Sequence, residues 1–165
     1  MKATFAQRIA VAVLALLVCA LFATGPAAAA GTGSSPQPGT PANPDYTRAV
    51  ALIGKGDFAG ALPLLRKAEA KTPDSADVHN WLGYALRNLK RYDAALKHYR
   101  IALRLEPRHR GANEYLGELY LVLGQLEKAE ERLAVLDRAC LFGCEEYTEL
   151  KEAIEAYKAR KRKGE

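Results

Sequence analysis

The chain has 165 residues and a formal net charge of +5, from 24 basic and 19 acidic side chains. Without Lys2 and Arg8 the balance is 22 against 19, a net of +3, and much of this excess lies in residues 158–163. Cations at a solvated helix end also suit the helix dipole, so we favour that interpretation over a patch for nucleic acid or anionic lipid.

The N-terminal segment has the three-part pattern of a secretory signal. Lys2 and Arg8 accompany an apolar run at residues 9–23, and small residues follow at 28–30. This pattern predicts a signal peptide over residues 1–30, cleaved after Ala30, and a periplasmic or secreted protein. The alternative is an uncleaved N-terminal membrane anchor, but the apolar run is shorter than the roughly 20 residues that a spanning helix needs. Membrane contact is expected only through this signal, if it is uncleaved.

Residues 31–43 are rich in Gly, Ser, Thr and Pro and show no apolar periodicity. Such a segment buries too little surface to offset its ordering entropy, so a flexible linker is predicted. Residues 44–165 then form the folded domain, a length that suits one hydrophobic core.

A period of 34 residues runs through the folded domain, beginning with Ala61, Ala95 and Ala129. The same spacing relates Gly56, Lys90 and Gly124, then Phe58, Tyr92 and Leu126, and then Leu65, Tyr99 and Leu133. Self-similarity at this period predicts stacked copies of one supersecondary unit.

The second copy, residues 76–109, contains two apolar stripes with helical spacing. Ser75 can cap the first helix, Lys90 and Arg91 separate the two stripes, and Pro107 ends the second. The stripes consist of Val78, Trp81, Leu82, Ala85, Leu86 and Leu89, and of Tyr92, Ala95, Leu96, Tyr99, Ala102, Leu103 and Leu105. Two helices joined by a tight turn form an antiparallel hairpin. Gly83 and Ala95 leave room for close approach, and Tyr99 fills the space beside them.

The copies resemble the tetratricopeptide repeat, whose pattern is W-x2-L-G-x2-Y, then A-x3-F, then P. In the second copy these places hold His79, Leu82, Gly83, Leu86, Ala95, Tyr99 and Pro107. In the third they hold Asn113, Leu116, Gly117, Tyr120, Ala129, Leu133 and Leu141, and in the first Asp45, Arg48, Ala49, Leu52, Ala61, Leu65 and Pro73. The first aromatic is missing from all three copies. With the signal, the resemblance predicts an exported bacterial type of tetratricopeptide protein.

The resemblance implies an all-α fold, an α-solenoid of three helical hairpins plus a C-terminal capping helix. The repeats cover about 42–75, 76–109 and 110–143. In the first copy, Pro63 should kink the second helix or delay its start. The capping helix is predicted over about 145–162, where Tyr147, Leu150, Ala153, Ile154 and Tyr157 form one apolar face.

In tetratricopeptide arrays the first helix of each hairpin lines a concave groove that binds a partner. Carried over by position, the groove residues are Asp77, Asn80, Tyr84, Arg87, Asn88, Glu114, Glu118 and Leu121. Receptors for chaperone tails hold a terminal carboxylate with lysine and asparagine in their first repeat. Tyr46 and Val50 occupy those places here, so this subtype is not expected.

Cys140 and Cys144 lie in the sequence CLFGC, at the corner between the third hairpin and the last helix. In an oxidising compartment such a pair predicts a disulfide, which stabilises the fold by about 2 kcal/mol in the loop-entropy treatment. Two alternatives stay open, a redox-active disulfide and a soft-metal (copper) site.

The remaining sequence contains no catalytic or phosphate-binding motif, and its three histidines have no metal-ligand spacing. The prediction is therefore no enzyme, no cofactor and no metal. We expect a scaffold that binds a protein or peptide, and not nucleic acid. The alternative is a thiol-redox or copper-handling protein. Self-association of the array is also possible.

Overall fold

The computed structural model describes residues 43–141 and 143–164. The predicted signal peptide and nearly all of the predicted linker lie outside these residues. The described part is helical, in the order α1 (Pro44–Ile53), α2 (Phe58–Lys71), α3 (Ala76–Asn88), α4 (Tyr92–Leu105), α5 (Arg110–Val122), α6 (Leu126–Ala139) and α7 (Glu145–Lys163).

The helices pair in chain order into three hairpins, α1 with α2, α3 with α4, and α5 with α6. The first helices of the hairpins also contact one another, α1 with α3 and α3 with α5, and α7 then packs on α5 and α6. The odd-numbered helices therefore form one continuous layer, whose free surface we call the inner face. The predicted all-α solenoid of three hairpins plus a capping helix is confirmed.

The 34-residue period reappears in the helix boundaries. The second helices begin at Phe58, Tyr92 and Leu126, and each has 14 residues. Polar caps set several of the starts: Ser75 Oγ accepts a hydrogen bond from the Val78 amide, as expected from the sequence. The first copy departs from the period, because α1 begins at Pro44 behind an Asn43 cap.

Pro63 does not delay the start of its helix, so that part of the expectation is wrong. Helix α2 begins at the periodic position and continues through Pro63 to Lys71. The Asp57 side chain starts the helix by accepting a hydrogen bond from the Gly60 amide at 2.8 Å. Pro63 lies on an exposed side of α2, where its missing N–H leaves a carbonyl that water can reach.

Two hydrophobic clusters form the core. One joins α1, α2 and α3 around Ala49, Leu65 and Leu82, and the other joins α3 to α7 around Tyr99 and Leu150. Gly83 permits a close approach of α4, because a Cβ atom there would lie 2.6 Å from the Tyr99 ring. Each hairpin therefore completes its core only against a neighbour, as in other repeat arrays.

Among the described residues, none of the helices is both long and apolar enough to cross a membrane.

The turn inside each hairpin uses one residue in the left-handed region. Gly56 and Gly124 occupy this position with φ of 77° and 73°, whereas the second copy has Lys90 with φ of 60°. A residue with a side chain in this region destabilises the folded state by about 1–2 kcal/mol. Glycine would remove this cost, but its greater conformational freedom in the unfolded chain would cancel part of the stability gained. We expect Lys90→Gly to raise the free energy of unfolding by about 0.5–1 kcal/mol in urea titrations.

The matched control is Lys90→Ala, which removes the same charge but keeps Cβ. It should not gain stability, and equal gains from the two variants would contradict the backbone explanation.

Candidate functional site

A group of aromatic and charged side chains occupies the middle of the inner face. The Tyr84 and Tyr115 rings lie 4.6 Å apart between centroids, and the Arg87 guanidinium lies 5.3 and 5.6 Å from them. Arg87 Nη1 also pairs with Glu118 Oε2 at 2.5 Å. We call Tyr84, Arg87, Tyr115 and Glu118 the inner platform. Cation–π contact and ion pair together hold the guanidinium in place, which leaves a preorganised and partly exposed surface.

The platform continues toward the first repeat through further aromatic residues. Tyr84 contacts Phe58 and Trp81 edge to face, with centroids 5.9 and 5.6 Å away. The Trp81 indole donates a hydrogen bond to Tyr46 Oη at 3.0 Å. Burial of Tyr46 raises the pKa of its hydroxyl to about 12, so the phenol stays protonated and neutral at neutral pH.

The predicted groove residues divide by exposure. Tyr84, Arg87 and Glu118 meet in the inner platform, and exposed Asn88 donates a hydrogen bond to the Tyr84 carbonyl at 2.9 Å. Asp77 is half-buried and accepts a hydrogen bond from His109 Nε2 at 3.0 Å, joining adjacent repeats.

Three other predicted groove residues are buried: Asn80, Glu114 and Leu121. Asn80 and Glu114 are only 2% and 3% exposed, because neighbouring helices cover these positions. In this arrangement they support the inner face from below. Leu121 lines a cleft beside the platform.

That cleft lies between α5 and α7 and has a volume of about 460 Å³. Arg87 and Glu118 of the platform form one side of it. Its other lining residues include Leu121, Val122, Ala153, Tyr157, Arg160 and Lys161. The cleft therefore combines an apolar surface with basic groups from the last turn of α7. A segment of modest size with both an apolar side chain and a carboxylate would fit this chemistry.

Glu114 has the most perturbed carboxyl group of the site. Burial raises the pKa of Glu114 to about 10, and a hydrogen bond to Glu149 and the nearby carboxylates of Glu118 and Glu146 act in the same direction. The Glu114 carboxyl is therefore neutral at pH 7 and can donate its proton in that hydrogen bond. This group lies below the inner face, between α5 and α7.

Sequence reasoning missed Tyr115 as a site residue. It stands one position after Glu114, outside the family positions carried over, yet it supplies half of the ring pair. The available signal in the sequence was an aromatic residue directly after a predicted groove position. The contribution of α7 to the cleft was also missed. An amphipathic pattern shows which face of a helix is buried, but not which residues beside that face line a cleft with another helix.

The cysteines lie at the corner that the sequence predicted. Cys140 ends α6 and Cys144 precedes α7, with Cα atoms 5.6 Å apart, a distance that suits a disulfide. Gly143 has φ of 83° and turns the chain. Neither cysteine is among the described residues that line the cleft.

The histidines have partners that sequence spacing did not indicate. His79 and His98 are nearly fully buried and stack on each other, with ring centroids 5.3 Å apart. The Glu69 carboxylate lies within 4 Å of both rings. His109 caps α5 by accepting a hydrogen bond from the Ala112 amide. All three therefore pack inside the array, and two of them form a cluster with Glu69 that brings together α2, α3 and α4.

Two curated plant proteins are similar to parts of this chain. The match to cell division cycle protein 27 homolog A of Arabidopsis thaliana is 38% identical over 64 residues. The match to the TPR repeat-containing thioredoxin TTL4 of the same species is 33% identical over 84 residues. These cover 39% and 51% of this chain but only 9% and 12% of the two relatives. The similarity is therefore confined to a small part of much longer proteins.

Solved structures show the same fold. The second TPR domain of human RPAP3, in complex with an HSP70 peptide, superposes with a TM-score of 0.58 at 18% identity, over 66% of this chain and 91% of that one. The Yersinia enterocolitica type III secretion chaperone SycD, in complex with a peptide of the translocator YopD, gives 0.62 at 19% identity, over 72% and 92%.

Two family models describe the repeats directly, both as tetratricopeptide repeat, one over residues 46–105 and the other over residues 86–154. They overlap, so the matched region runs without a gap through α1 to the middle of α7. Residues 46–154 of this chain therefore consist of tetratricopeptide repeats.

Proposed function

We propose that this protein is a non-enzymatic scaffold that binds a protein or peptide partner on its inner face. The observation that carries the proposal is the inner platform, in which two tyrosine rings and an ion-paired arginine are held in one partly exposed group. Tyrosine and arginine dominate the binding energy of many interfaces, because they offer large contact areas and directed hydrogen bonds.

The neighbouring cleft suggests what the partner presents. Arg160 and Lys161 add positive charge to an apolar lining, so a partner segment with an apolar side chain next to a carboxylate is favoured. Solved structures of the same fold, RPAP3 with an HSP70 peptide and SycD with a YopD peptide, support peptide binding as the mode.

The test begins with a partner captured by the full chain from its native envelope fraction and identified by mass spectrometry. With the purified partner, Tyr84→Ala/Arg87→Ala should weaken binding by about 30-fold or more, since each residue belongs to the platform. Calorimetry measures the affinity, and circular dichroism of each variant reports folding.

Arg160→Ala/Lys161→Ala changes only exposed groups at the cleft rim, so it weakens binding without a folding effect. Arg104→Ala, on an exposed part of α4, is the control and should bind as the unmodified chain does. If the platform variant and the cleft-rim variant both kept full affinity for the partner, the partner would bind to another surface.

Export and the disulfide belong to the same proposal. The signal-like residues 1–30 and the cysteine pair both fit an oxidising envelope compartment. We expect protein recovered from an expressing bacterium to begin at Gly31 and to have no free thiol. Intact mass before and after thiol alkylation measures both. A retained N-terminus indicates the membrane-anchored alternative.

The thiol-redox alternative predicts a different result in that experiment. Free thiols that appear on incubation with glutathione, or copper that copurifies with the protein, would favour it over a structural disulfide.

A further inference from the structure

We propose that Glu69, His79 and His98 bind one divalent first-row transition ion, with Zn²⁺ as the probe. The two Nδ1 atoms lie 3.0 Å apart, and the Glu69 Oε1 atom lies 3.7 Å from one and 3.8 Å from the other. The ligand atoms of all three lie within 4.8 Å of one another. Tetrahedral coordination at Zn–ligand distances near 2.0–2.1 Å separates ligands by about 3.3 Å, so small side-chain shifts complete the site.

The hydrogen bonds around His79 orient its lone pair toward this site. His79 Nε2 lies 2.8 Å from the Pro73 carbonyl oxygen, which can only accept a hydrogen bond. The Nε2 atom therefore carries the proton, and the lone pair of Nδ1 faces His98 and Glu69, where it accepts a hydrogen bond from His98 Nδ1 until an ion takes its place. A ligating histidine held by a carbonyl at its other nitrogen is the usual outer-shell arrangement of metal sites.

Arg66 controls access from solvent. Its guanidinium lies 3.2 Å from Glu69 Oε2 and 3.4 Å from His98 Nε2, and its side chain is 54% exposed. When an ion enters, the His98 proton moves from Nδ1 to Nε2, and Arg66 turns into solvent because both groups are then donors. Glu69 is partly exposed, so the open side of the ion faces water and takes a water ligand.

Comparing the second copy of the repeat with the third shows whether packing alone requires two histidines at these positions. One period later, Asn113 and Arg132 stand in the places of His79 and His98. Asn113 Nδ2 donates to the Pro107 carbonyl at 3.1 Å, and Arg132 Nη1 lies 3.4 Å from Asn113 Oδ1. The same contacts between helices therefore form without imidazoles, so the architecture does not require a histidine pair here.

The ion would connect three helices, α2 through Glu69, α3 through His79 and α4 through His98. It would therefore link the first hairpin, whose sequence departs most from the family pattern, to the second. Because the unfolded chain does not bring these three ligands together, binding stabilises the folded state in proportion to affinity.

The test uses the full chain without reductant, titrated with Zn²⁺ by calorimetry and by thermal unfolding. We expect one equivalent to bind and the Tm to rise with Zn²⁺ concentration. His79→Asn/His98→Arg copies the third repeat, so it should fold and lose this binding. His109→Ser changes the third histidine to the residue at the equivalent cap, Ser75, and should keep it.

Glu69→Gln alters only a partly exposed side chain and should weaken Zn²⁺ binding at least tenfold, which tests the site even if the double variant fails to fold. Co²⁺ in place of Zn²⁺ should give d–d bands without thiolate charge transfer, which excludes the cysteines. Full affinity in Glu69→Gln or in the folded double variant, a thiolate spectrum, or no binding to the unmodified chain would overturn the proposal.

Discussion

Tyr99→Ala should lower the free energy of unfolding by about 3–5 kcal/mol, the largest effect of a single substitution that we expect in this domain. The Tyr99 ring is fully buried and fills the space that Gly83 leaves open. Removing the ring creates a cavity at the junction of the second and third repeats, where Leu86, Leu119 and Tyr120 belong to the same cluster. Chemical denaturation followed by circular dichroism measures the change.

Tyr99→Phe is the matched control. The Tyr99 hydroxyl is buried without a hydrogen-bond partner in the described part of the chain. Burial also raises its pKa well above the usual range, so the phenol is neutral. Removing an unsatisfied hydroxyl should leave stability unchanged or raise it by about 1 kcal/mol. A large loss in Tyr99→Phe would show that the hydroxyl, and not the ring volume, carries the stabilisation.

Glu114→Gln should stabilise the domain increasingly as the pH rises from 5 to 8. The pKa of Glu114 is raised from 4.5 to about 10 in the folded protein, chiefly by burial. The stability that the protonated Glu114 carboxyl contributes is therefore fully present below pH 4.5, where the folded and the unfolded chain both hold the proton. The contribution is lost as pH rises toward the folded pKa, because only the unfolded state releases the proton.

The expected size is on the order of 1 kcal/mol per pH unit across this window. Glutamine is neutral at every pH, keeps a donor for Glu149 and removes this dependence, so the two unfolding free energies should diverge with pH. Glu152→Gln, on an exposed part of α7, is the control and should follow the unmodified chain. Parallel pH profiles for Glu114→Gln and the unmodified chain would show that Glu114 is ionised in the folded state.

The helical hairpins could be predicted because their information is local and periodic. Apolar residues at helical spacing, the Ser75 cap and the small residues at Gly83 and Ala95 recur at fixed offsets. A repeat also predicts its own packing, since each copy meets the next in the same way. Pro63 shows the limit of such local rules: an exposed position in an otherwise supported helix tolerates it.

The candidate site was predicted only in part. Position in the repeat placed Tyr84, Arg87 and Glu118 on the inner face, where the structure brings them together. The same positional rule also selected Asn80 and Glu114, which neighbouring helices cover. Burial depends on which side chains the adjacent repeat and α7 present, and one copy read alone does not contain that information.

By itself, the sequence determined that this protein is a stack of helical hairpins, and it predicted Tyr84, Arg87 and Glu118 as residues of one surface. Only the tertiary structure decided that Glu69, His79 and His98 meet, that Tyr115 completes the platform, and that Glu114 holds its proton. The physical reason is distance along the chain. Periodicity in the sequence constrains residues that are neighbours within one helix. The contacts and the pKa of a side chain depend on residues of other helices, which come close only when the helices pack in the folded array.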